Sequence, residues 1–281
     1  MKQIEATKAL FDGGLGLSCL ENYLLYIMAH LKFDCRILYA YSYITMSEIA
    51  RAFFDEKITY AHFDKISRLQ GITCDFGIIK LTSIDSIKEI DTCNGYCCIR
   101  VNSRFFEKHY VRESWRGDHY ILLCNKLNDG YLILNDIPRA VIEMNSEQLL
   151  AVFDGNIFCF EFLMESIPNA IKAKLFTEFQ SLLPRLNSAY EFKCNNIETA
   201  RDFLGILRVT RRRIQEYCSI YFDSDFMSEN ITKIDKSYAM FEYMRLRNRF
   251  DYNKVNQSLS EIQENDFSMI DRLNQEMRTI Q

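Results

Sequence analysis

The sequence predicts an α+β protein, in which a helix carrying a cysteine packs on a mostly antiparallel sheet and an all-α domain follows. Three observations support this fold class. Apolar residues recur at helical spacing directly after Cys19, and two apolar runs flank a turn signal between His119 and Asp136. From residue 166 onward, strand patterns disappear and every long segment shows helical periodicity. We therefore expect two domains, in residues 1–165 and 166–281.

The first helix follows a loop that contains several glycines. Ser18 and Glu21 form the Ser-x-x-Glu pattern of a capping box, which makes Cys19 the first helical residue. A thiol at that position lies beside unpaired backbone amides and the positive end of the helix dipole, and both favour the thiolate. The backbone amide of Cys19 is also a potential donor to an oxyanion. The other nine cysteines lie in apolar settings, where a thiol behaves as a small hydrophobic side chain.

Between this helix and the hairpin the pattern is less regular. A charged loop at residues 104–116 carries the single tryptophan, Trp115, which either lines an acyl or pantetheine channel or fills a gap in the core. The segments with a recognisable pattern are short helices at 47–54, 63–69 and 83–90 and strands at 73–79 and 96–102.

The predicted hairpin begins at His119 and ends at Asp136, and its register decides whether these side chains meet. A two-residue loop leaves them about 10–13 Å apart, whereas a five-residue loop brings Asn135 diagonally across from His119. A six-residue loop at 125–130 places Asp136 directly opposite His119, and this is the register we expect. A carboxylate there would hold the imidazole tautomer that a general base needs. The alternative is a core histidine satisfied by a neighbour.

Further strands at 140–144 and 157–163, with a helix at 146–153, complete the predicted sheet. The second domain has predicted helices at 169–183, 197–222, 233–249 and 259–280. Arg208 and Arg211–Arg213 either form a solvated helix face or dock an acidic partner through ion pairs. The apolar stripe from Leu259 to Ile280 is a packing face, within the chain or across a homodimer.

Composition excludes several classes of function. The net charge of −4 gives no reason to expect nucleic acid, and no apolar run is long enough for a membrane span. No basic region followed by an apolar block marks a signal peptide. Ten cysteines without paired spacing indicate reduced thiols in a cytoplasm. Cys93 and Cys97 come nearest to a metal-ligand spacing, but without a second pair we expect no metal.

Three motifs, taken in this order, resemble the N-terminal domain of the butirosin-biosynthesis acyltransferase family, which is papain-like and related to double-glycine leader peptidases. They are Ser18-Cys19-Leu20-Glu21-Asn22-Tyr23-Leu24-Leu25, Asp118-His119-Tyr120-Ile121-Leu122-Leu123 and Asn135-Asp136-Ile137. The resemblance extends over residues 10–165. It implies a papain-like fold with Cys19, His119 and Asp136 as catalytic residues.

The chain departs from the family pattern at two points. The related peptidases carry a glutamine just before the cysteine as an oxyanion donor, whereas this chain has glycines at 13, 14 and 16; Ile137 also separates Asp136 from Pro138. Asn22, one turn after the cysteine, is therefore a candidate second oxyanion donor, unless it points to solvent. Together with Trp115 and Asn135, it forms the expected substrate-binding set.

The function that the resemblance implies is acyl transfer from a carrier-protein thioester to an amine or to water, in secondary-metabolite, antibiotic or non-ribosomal peptide biosynthesis. Cys19 would form the acyl-enzyme, His119 would move the proton and Asp136 would orient His119. The expected partners are an acyl or peptidyl carrier protein and a small-molecule or peptide acceptor, with no cofactor beyond the carrier's phosphopantetheine arm. The alternatives are a cysteine peptidase or amidase and a non-catalytic papain-like binding module.

Overall fold

A computed structural model describes most of the 281-residue chain. The described residues are 1–7, 15–42, 45–54, 69–109, 118–183, 193–222 and 227–280. The chain divides into two compact units, and each is discontinuous in sequence. The first unit comprises Met1–Cys35 and Leu69–Ile167, and the second comprises Arg36–Arg68 and Pro168–Gln281.

The strands form one six-stranded sheet, and helices dominate the C-terminal part, so the fold is α+β. The strands are β1 (Ile79–Ile84), β2 (Tyr96–Val101), β3 (His119–Leu127), β4 (Gly130–Asp136), β5 (Arg139–Met144) and β6 (Phe153–Phe162). The helices are α1 (Cys19–His30), α2 (Met46–Phe54), α3 (Leu69–Asp75), α4 (Ser103–His109), α5 (Ser146–Val152), α6 (Asn169–Leu182), α7 (Ile197–Cys218), α8 (Ser228–Leu246) and α9 (Tyr252–Arg278). Short 3₁₀ helices lie at Cys35–Tyr41 and Ile87–Thr92.

The sheet is antiparallel at every pairing, in the order β1-β6-β2-β3-β4-β5. Side chains alternate between its two faces along each strand. One face carries an apolar cluster that includes Ile99, Ile121 and Ile133, and Phe105 of α4 and Leu149 of α5 pack into that cluster. The other face carries α1, whose Tyr23 hydroxyl donates to the backbone oxygen of Tyr120 at 2.9 Å.

The N-terminus of α1 forms as the sequence predicts. The Ser18 Oγ accepts a hydrogen bond from the Glu21 amide at 3.2 Å, which is the first half of a capping box. The Glu21 carboxylate is buried, and it accepts from the backbone amides of Leu17 at 2.7 Å and Leu69 at 3.0 Å. Glu21 therefore fixes the approach to α1 and ties the start of α3 to it.

The predicted hairpin forms, but the predicted six-residue loop is wrong. β3 and β4 are joined by the two-residue turn Asn128–Asp129, and Leu127 pairs with Gly130. A β-bulge at Cys124 then shifts the register by one residue, so that Leu122 pairs with Leu134. Continued to the strand ends, this register places Asn135 diagonally across from His119. It is the register that the five-residue loop would have produced.

Two other predicted segments of the first unit differ from the structure. Residues 73–79 were expected as a strand, but α3 continues to Asp75, and a turn with Gly77 at φ +65 leads into β1. The helix expected at 83–90 is a short 3₁₀ helix, because β1 extends to Ile84 before it begins. The helix predicted at 63–69 lies outside the described residues except for Leu69.

The unit boundary near residue 166 agrees with the expected one, since the first unit ends at Ile167, but residues 36–68 were expected in the first domain and lie in the second unit. The described part of this segment includes the amphipathic helix α2. The rings of Phe53 and Phe54 lie 6.4 Å and 5.5 Å from the ring of Phe203 on α7. The apolar face of α2 therefore packs on the C-terminal helices.

The apolar stripe of the last helix faces the interior of the chain. Leu259, Ile262, Met269, Leu273 and Met277 are all buried. These side chains belong to the core of the second unit, which is the packing within the chain that the sequence offered as one alternative. None of the helices in the described ranges combines the length and hydrophobicity that a membrane crossing requires.

One cysteine pair was not expected. Cys93 and Cys159 are joined by a disulfide, whereas the sequence predicted that all ten cysteines are reduced thiols. The remaining eight form no disulfide. The pairing was not visible in the sequence because 66 residues separate the two cysteines and only the strand order brings them together.

Candidate functional site

His119 and Asn135 form the closest polar contact of the site. His119 is the first residue of β3 and is 1% exposed, and its Nε2 lies 2.7 Å from Asn135 Oδ1. The Nδ2 of Asn135 donates to the carbonyl oxygen of Pro138 at 2.9 Å. Because that carbonyl can only accept, it fixes the amide with Oδ1 toward the imidazole. The Nε2 must then carry the proton, and Nδ1 is the basic nitrogen of the neutral ring.

Asp136, the predicted partner of His119, is farther from the ring. Its Oδ1 lies 4.0 Å from His119 Nε2, which is beyond hydrogen-bonding distance. The carboxylate instead accepts from Asn22 Nδ2 at 3.0 Å, through Oδ2. The backbone amide of Asp136 donates to the Tyr23 hydroxyl at 3.2 Å. Asp136 is therefore bound to α1, and the imidazole contacts Asn135 instead.

The bulge at Cys124 explains why Asn135, and not Asp136, contacts His119. Continued from the printed pairs, the register turns His119 and Asn135 to the same side of their strands and Asp136 to the other side, toward α1. Both residues lie at strand ends, where the sheet does not separate the two sides, and Asp136 Oδ1 is still 4.0 Å from His119 Nε2. The side chain that follows Asn135 thus reaches α1, while Asn135 itself reaches the imidazole.

Burial lowers the pKa of His119. The desolvation of the ring is the largest cause, and the hydrogen bond that the ring donates to Asn135 and the negative charge of Asp136 oppose it in part. The rings of Phe105 and Phe106 lie 6.0 Å and 5.4 Å from the imidazole and make its surroundings apolar. The histidine is therefore held in its neutral form near pH 7, which is the form that accepts a proton from a nucleophile.

Cys19 is half-buried at the N-terminal tip of α1. The next helical turn holds Asn22 and Tyr23, which contact Asp136 and the backbone of Tyr120. Burial chiefly, and then the charge of Asp118, raise the pKa of Tyr120 to about 12, and Cys19 contributes in the same direction. Since Tyr120 follows His119, the tip of α1 lies beside the start of β3.

Asn22 is held by a hydrogen bond at one end of its amide and lies close to Gly16 at the other. Its Nδ2 donates to Asp136, and a Cβ added to Gly16 would come within 2.2 Å of its Oδ1. A residue with a side chain at position 16 would therefore displace Asn22. This geometry identifies Asn22 as the link between α1 and β4 rather than as a group turned toward solvent.

Sequence reasoning missed Tyr23 and assigned Asn135 only to substrate binding. Tyr23 lies four residues after Cys19, on the same side of α1, and this spacing could have drawn attention to it. Trp115, predicted to bind substrate, lies outside the described residues, as do positions 13 and 14 of the glycine-containing loop.

The basic segment of α7 is less exposed than either of the two sequence interpretations requires. Arg211 is fully buried, and its Nε and Nη2 donate to Asp266 at 2.5 and 2.7 Å. Arg213 is also fully buried, with Nη1 donating to Ser42 Oγ at 3.2 Å. Arg208 and Arg212 both pair with Asp235. Three of the four arginines thus pair with an aspartate, and two of the four are core residues.

A cavity of about 650 Å³ lies at the turn between α8 and α9, in the second unit. Its lining includes Tyr243, Phe250 and Tyr252, but no cysteine, histidine or serine. Volume alone does not identify a catalytic centre, so chemistry places the candidate site at His119.

No protein-family model matches the chain, and a search of curated proteins finds no match. The assignment of a function therefore depends on the side-chain geometry described above.

Proposed function

We propose that the first unit is a cysteine-dependent acyl-transfer enzyme with a papain-like arrangement of Cys19, His119 and Asn135. The supporting observation is the 2.7 Å contact between His119 Nε2 and Asn135 Oδ1, with the amide fixed by Pro138. A cysteine–histidine–asparagine set is a known variant of the nucleophile–base–orienter triad. In such a set the asparagine holds the ring so that Nδ1 serves the thiol.

In the proposed first half-reaction, His119 Nδ1 takes the proton of the Cys19 thiol, and the sulfur attacks the carbonyl carbon of a thioester. The backbone amide of Cys19 donates to the resulting oxyanion. The tetrahedral intermediate collapses when the carbon–sulfur bond to the leaving thiol breaks, and His119 returns its proton to that sulfur. Cys19 then carries the acyl group.

In the second half-reaction, an amine or water attacks the acyl-enzyme, with His119 again acting first as base and then as acid. The proton lost by the acceptor returns to the Cys19 sulfur as the acyl–sulfur bond breaks. The cycle consumes one thioester and one acceptor and regenerates the thiol and the neutral imidazole.

Asp136 acts as a positioning residue in this proposal. It anchors α1 through Asn22, and its charge, 4.0 Å from His119 Nε2, stabilises the imidazolium that forms during turnover. This charge opposes the desolvation that otherwise favours the neutral ring. In the proposed site, His119 is therefore neutral before the reaction, and the Asp136 carboxylate lies close enough to stabilise the ring when it becomes protonated.

The donor class, a thioester on a carrier protein, comes from the resemblance of the motifs and not from the arginines of α7. A thioester suits the site, because exchange of one thioester for another requires no strong driving force. The acceptor is an amine or water. We also propose that the donor is linked to a carrier protein and that the reaction belongs to secondary-metabolite biosynthesis. A cytoplasmic location is part of the same proposal.

Acyl capture tests the proposal. The purified chain is incubated with acyl-N-acetylcysteamine thioesters of several chain lengths and with a panel of peptides, and intact mass and peptide mapping follow. We expect an acyl adduct on Cys19 that is absent from Cys19→Ala and retained in Cys74→Ala, a control cysteine that is also half-buried. Peptide hydrolysis without thioester turnover would indicate a peptidase, and no adduct or turnover with either class would indicate a binding module.

A further inference from the structure

Three cysteine sulfurs lie close together in the first unit, and none of these cysteines is among the proposed catalytic residues. Cys93 precedes β2, Cys97 lies in β2 and Cys159 lies in β6. Their sulfur atoms are all within 4.8 Å of one another. The disulfide joins Cys93 and Cys159, and Cys97 is the third thiol beside it. Cys97 and Cys159 are buried, and Cys93 is half-buried.

Strand pairing and one glycine bring these sulfurs together. Cys97 and Cys159 are direct partners in the β2–β6 ladder. Gly95 lies so close to β6 that an added Cβ would be 2.3 Å from the Phe160 oxygen and 2.8 Å from Cys159 Sγ. A side chain at position 95 would therefore push the turn away from β6 and separate Cys93 from Cys159. The strand pairing and the close approach at Gly95 thus bring the three sulfurs together.

We propose that the reduced Cys93, Cys97 and Cys159 form a binding site for one thiophilic d¹⁰ cation of the zinc class, and that the disulfide is its alternative, metal-free state. The spacing of Cys93 and Cys97, with three residues between them, is within the range that zinc ligands adopt. The third ligand comes from a strand 62 residues after Cys97, which is why no second cysteine pair is visible in the sequence.

The distances suit such a cation. Zinc–sulfur bonds of about 2.3 Å at tetrahedral angles place two ligating sulfurs about 3.8 Å apart. After reduction the sulfurs of Cys93 and Cys159 need to separate by about 1.8 Å from the disulfide distance. The Cys97 sulfur lies within 4.8 Å of both and needs to approach by about 1 Å at most. Soft thiolates select zinc-class ions over magnesium and calcium. The half-buried Cys93 gives the site its approach from solvent, and water would complete the tetrahedron.

The two states differ by a balanced reaction. Binding of a divalent cation to three thiols releases three protons and leaves a site with one net negative charge. Oxidation by a small-molecule disulfide forms the bond between Cys93 and Cys159, reduces that reagent to two thiols and releases the cation. Cys97 remains as a thiol. A structural disulfide requires only two cysteines. The third cysteine, Cys97, therefore distinguishes a metal site from a purely structural disulfide.

Cobalt titration tests the site directly. The full chain is reduced with a phosphine, desalted without oxygen and titrated with Co²⁺, and Zn²⁺ is then added. We expect one Co²⁺ per chain, with sulfur-to-cobalt charge-transfer absorption in the near ultraviolet that Zn²⁺ displaces. Oxidation with a small-molecule disulfide beforehand should abolish the absorption.

Variants of single cysteines show which of them bind the cation. Cys97→Ser should weaken binding by more than the roughly 10–100-fold that changes outside the ligand set cost, and Cys98→Ala, its neighbour on the opposite face, should not. Circular dichroism checks folding, and Cys93→Ser, at the half-buried ligand, replaces Cys97→Ser if that variant unfolds. The proposal is overturned if reduced wild-type chain shows no charge-transfer band, or if the band survives in the folded ligand variants.

Discussion

The Nδ2 of Asn22 donates a 3.0 Å hydrogen bond to Oδ2 of Asp136, which joins the first turn of α1 to the end of β4. This bond engages the carboxylate that the sequence assigned to His119, and the imidazole contacts Asn135 instead. The two neighbouring residues thus make separate contacts, and we propose that Asn135 orients the base while Asp136 holds the helix that carries the nucleophile. Mutation can distinguish these roles.

Replacement of Asn135 should remove the group that fixes the His119 tautomer. We expect Asn135→Ala to lower kcat of acyl transfer by about 10²-fold or more, because the basic nitrogen is no longer held toward the thiol. Steady-state kinetics with a thioester substrate measure the change. The control is Asn128→Ala, at the turn between β3 and β4, which should leave kcat unchanged. An Asn135→Ala rate within about twofold of wild type would remove Asn135 from the triad.

Replacement of Asp136 by asparagine should change the pH dependence. The Asp136 charge raises the pKa of His119, and burial, the larger effect, lowers it. Without the carboxylate the pKa falls further, so the ring stays unprotonated to lower pH. The acidic limb of the kcat/KM profile should therefore move to lower pH in Asp136→Asn. A limb that stays in place or moves to higher pH would show that this charge does not act on the base.

Glu21 should contribute to stability through its two backbone contacts. Its oxygens accept from the Leu17 and Leu69 amides, and a glutamine can offer only one oxygen to these two donors. We expect Glu21→Gln to lower the free energy of unfolding by about 1–3 kcal/mol, as measured by urea denaturation. Glu147→Gln, at an exposed position in the first turn of α5, is the control, since it loses only a favourable interaction with the helix dipole of about 0.3–1 kcal/mol.

The buried pair Arg211–Asp266 makes a prediction for the second unit. Arg211→Met leaves the Asp266 carboxylate buried without its bidentate donor, and it should cost about 3–5 kcal/mol of unfolding free energy. The double variant Arg211→Met/Asp266→Leu should recover most of that loss. Arg208→Met, at a partly exposed pair, should cost about 0–1 kcal/mol. Equal losses in Arg211→Met and Arg208→Met would mean that burial of the first pair is unimportant.

Local features of the fold were predictable from the sequence. The Ser18 cap, the β2 strand and the C-terminal helices depend on nearby residues, so pattern and capping chemistry identify them. The α+β class followed from the same patterns. Helix ends differ by several residues because packing, rather than periodicity, decides where a helix stops.

Long-range features were not predictable. The run from Tyr120 to Cys124 is apolar on both faces of β3, so alternation could not reveal the bulge at Cys124 that places Asn135 beside His119. The membership of α2 in the second unit depends on its contact with Phe203, 149 residues after Phe54. The approach of Cys159 to Cys93 and Cys97 likewise follows from strand order alone.

The most direct test of the account is the alkylation rate of Cys19 by iodoacetamide at about pH 6, followed residue by residue by peptide mass mapping. We expect Cys19 to be labelled faster than any other cysteine in the native chain, and we expect His119→Gln to remove this advantage. A Cys19 rate equal to that of half-buried Cys74, or an unchanged rate in a folded His119→Gln variant, would contradict it.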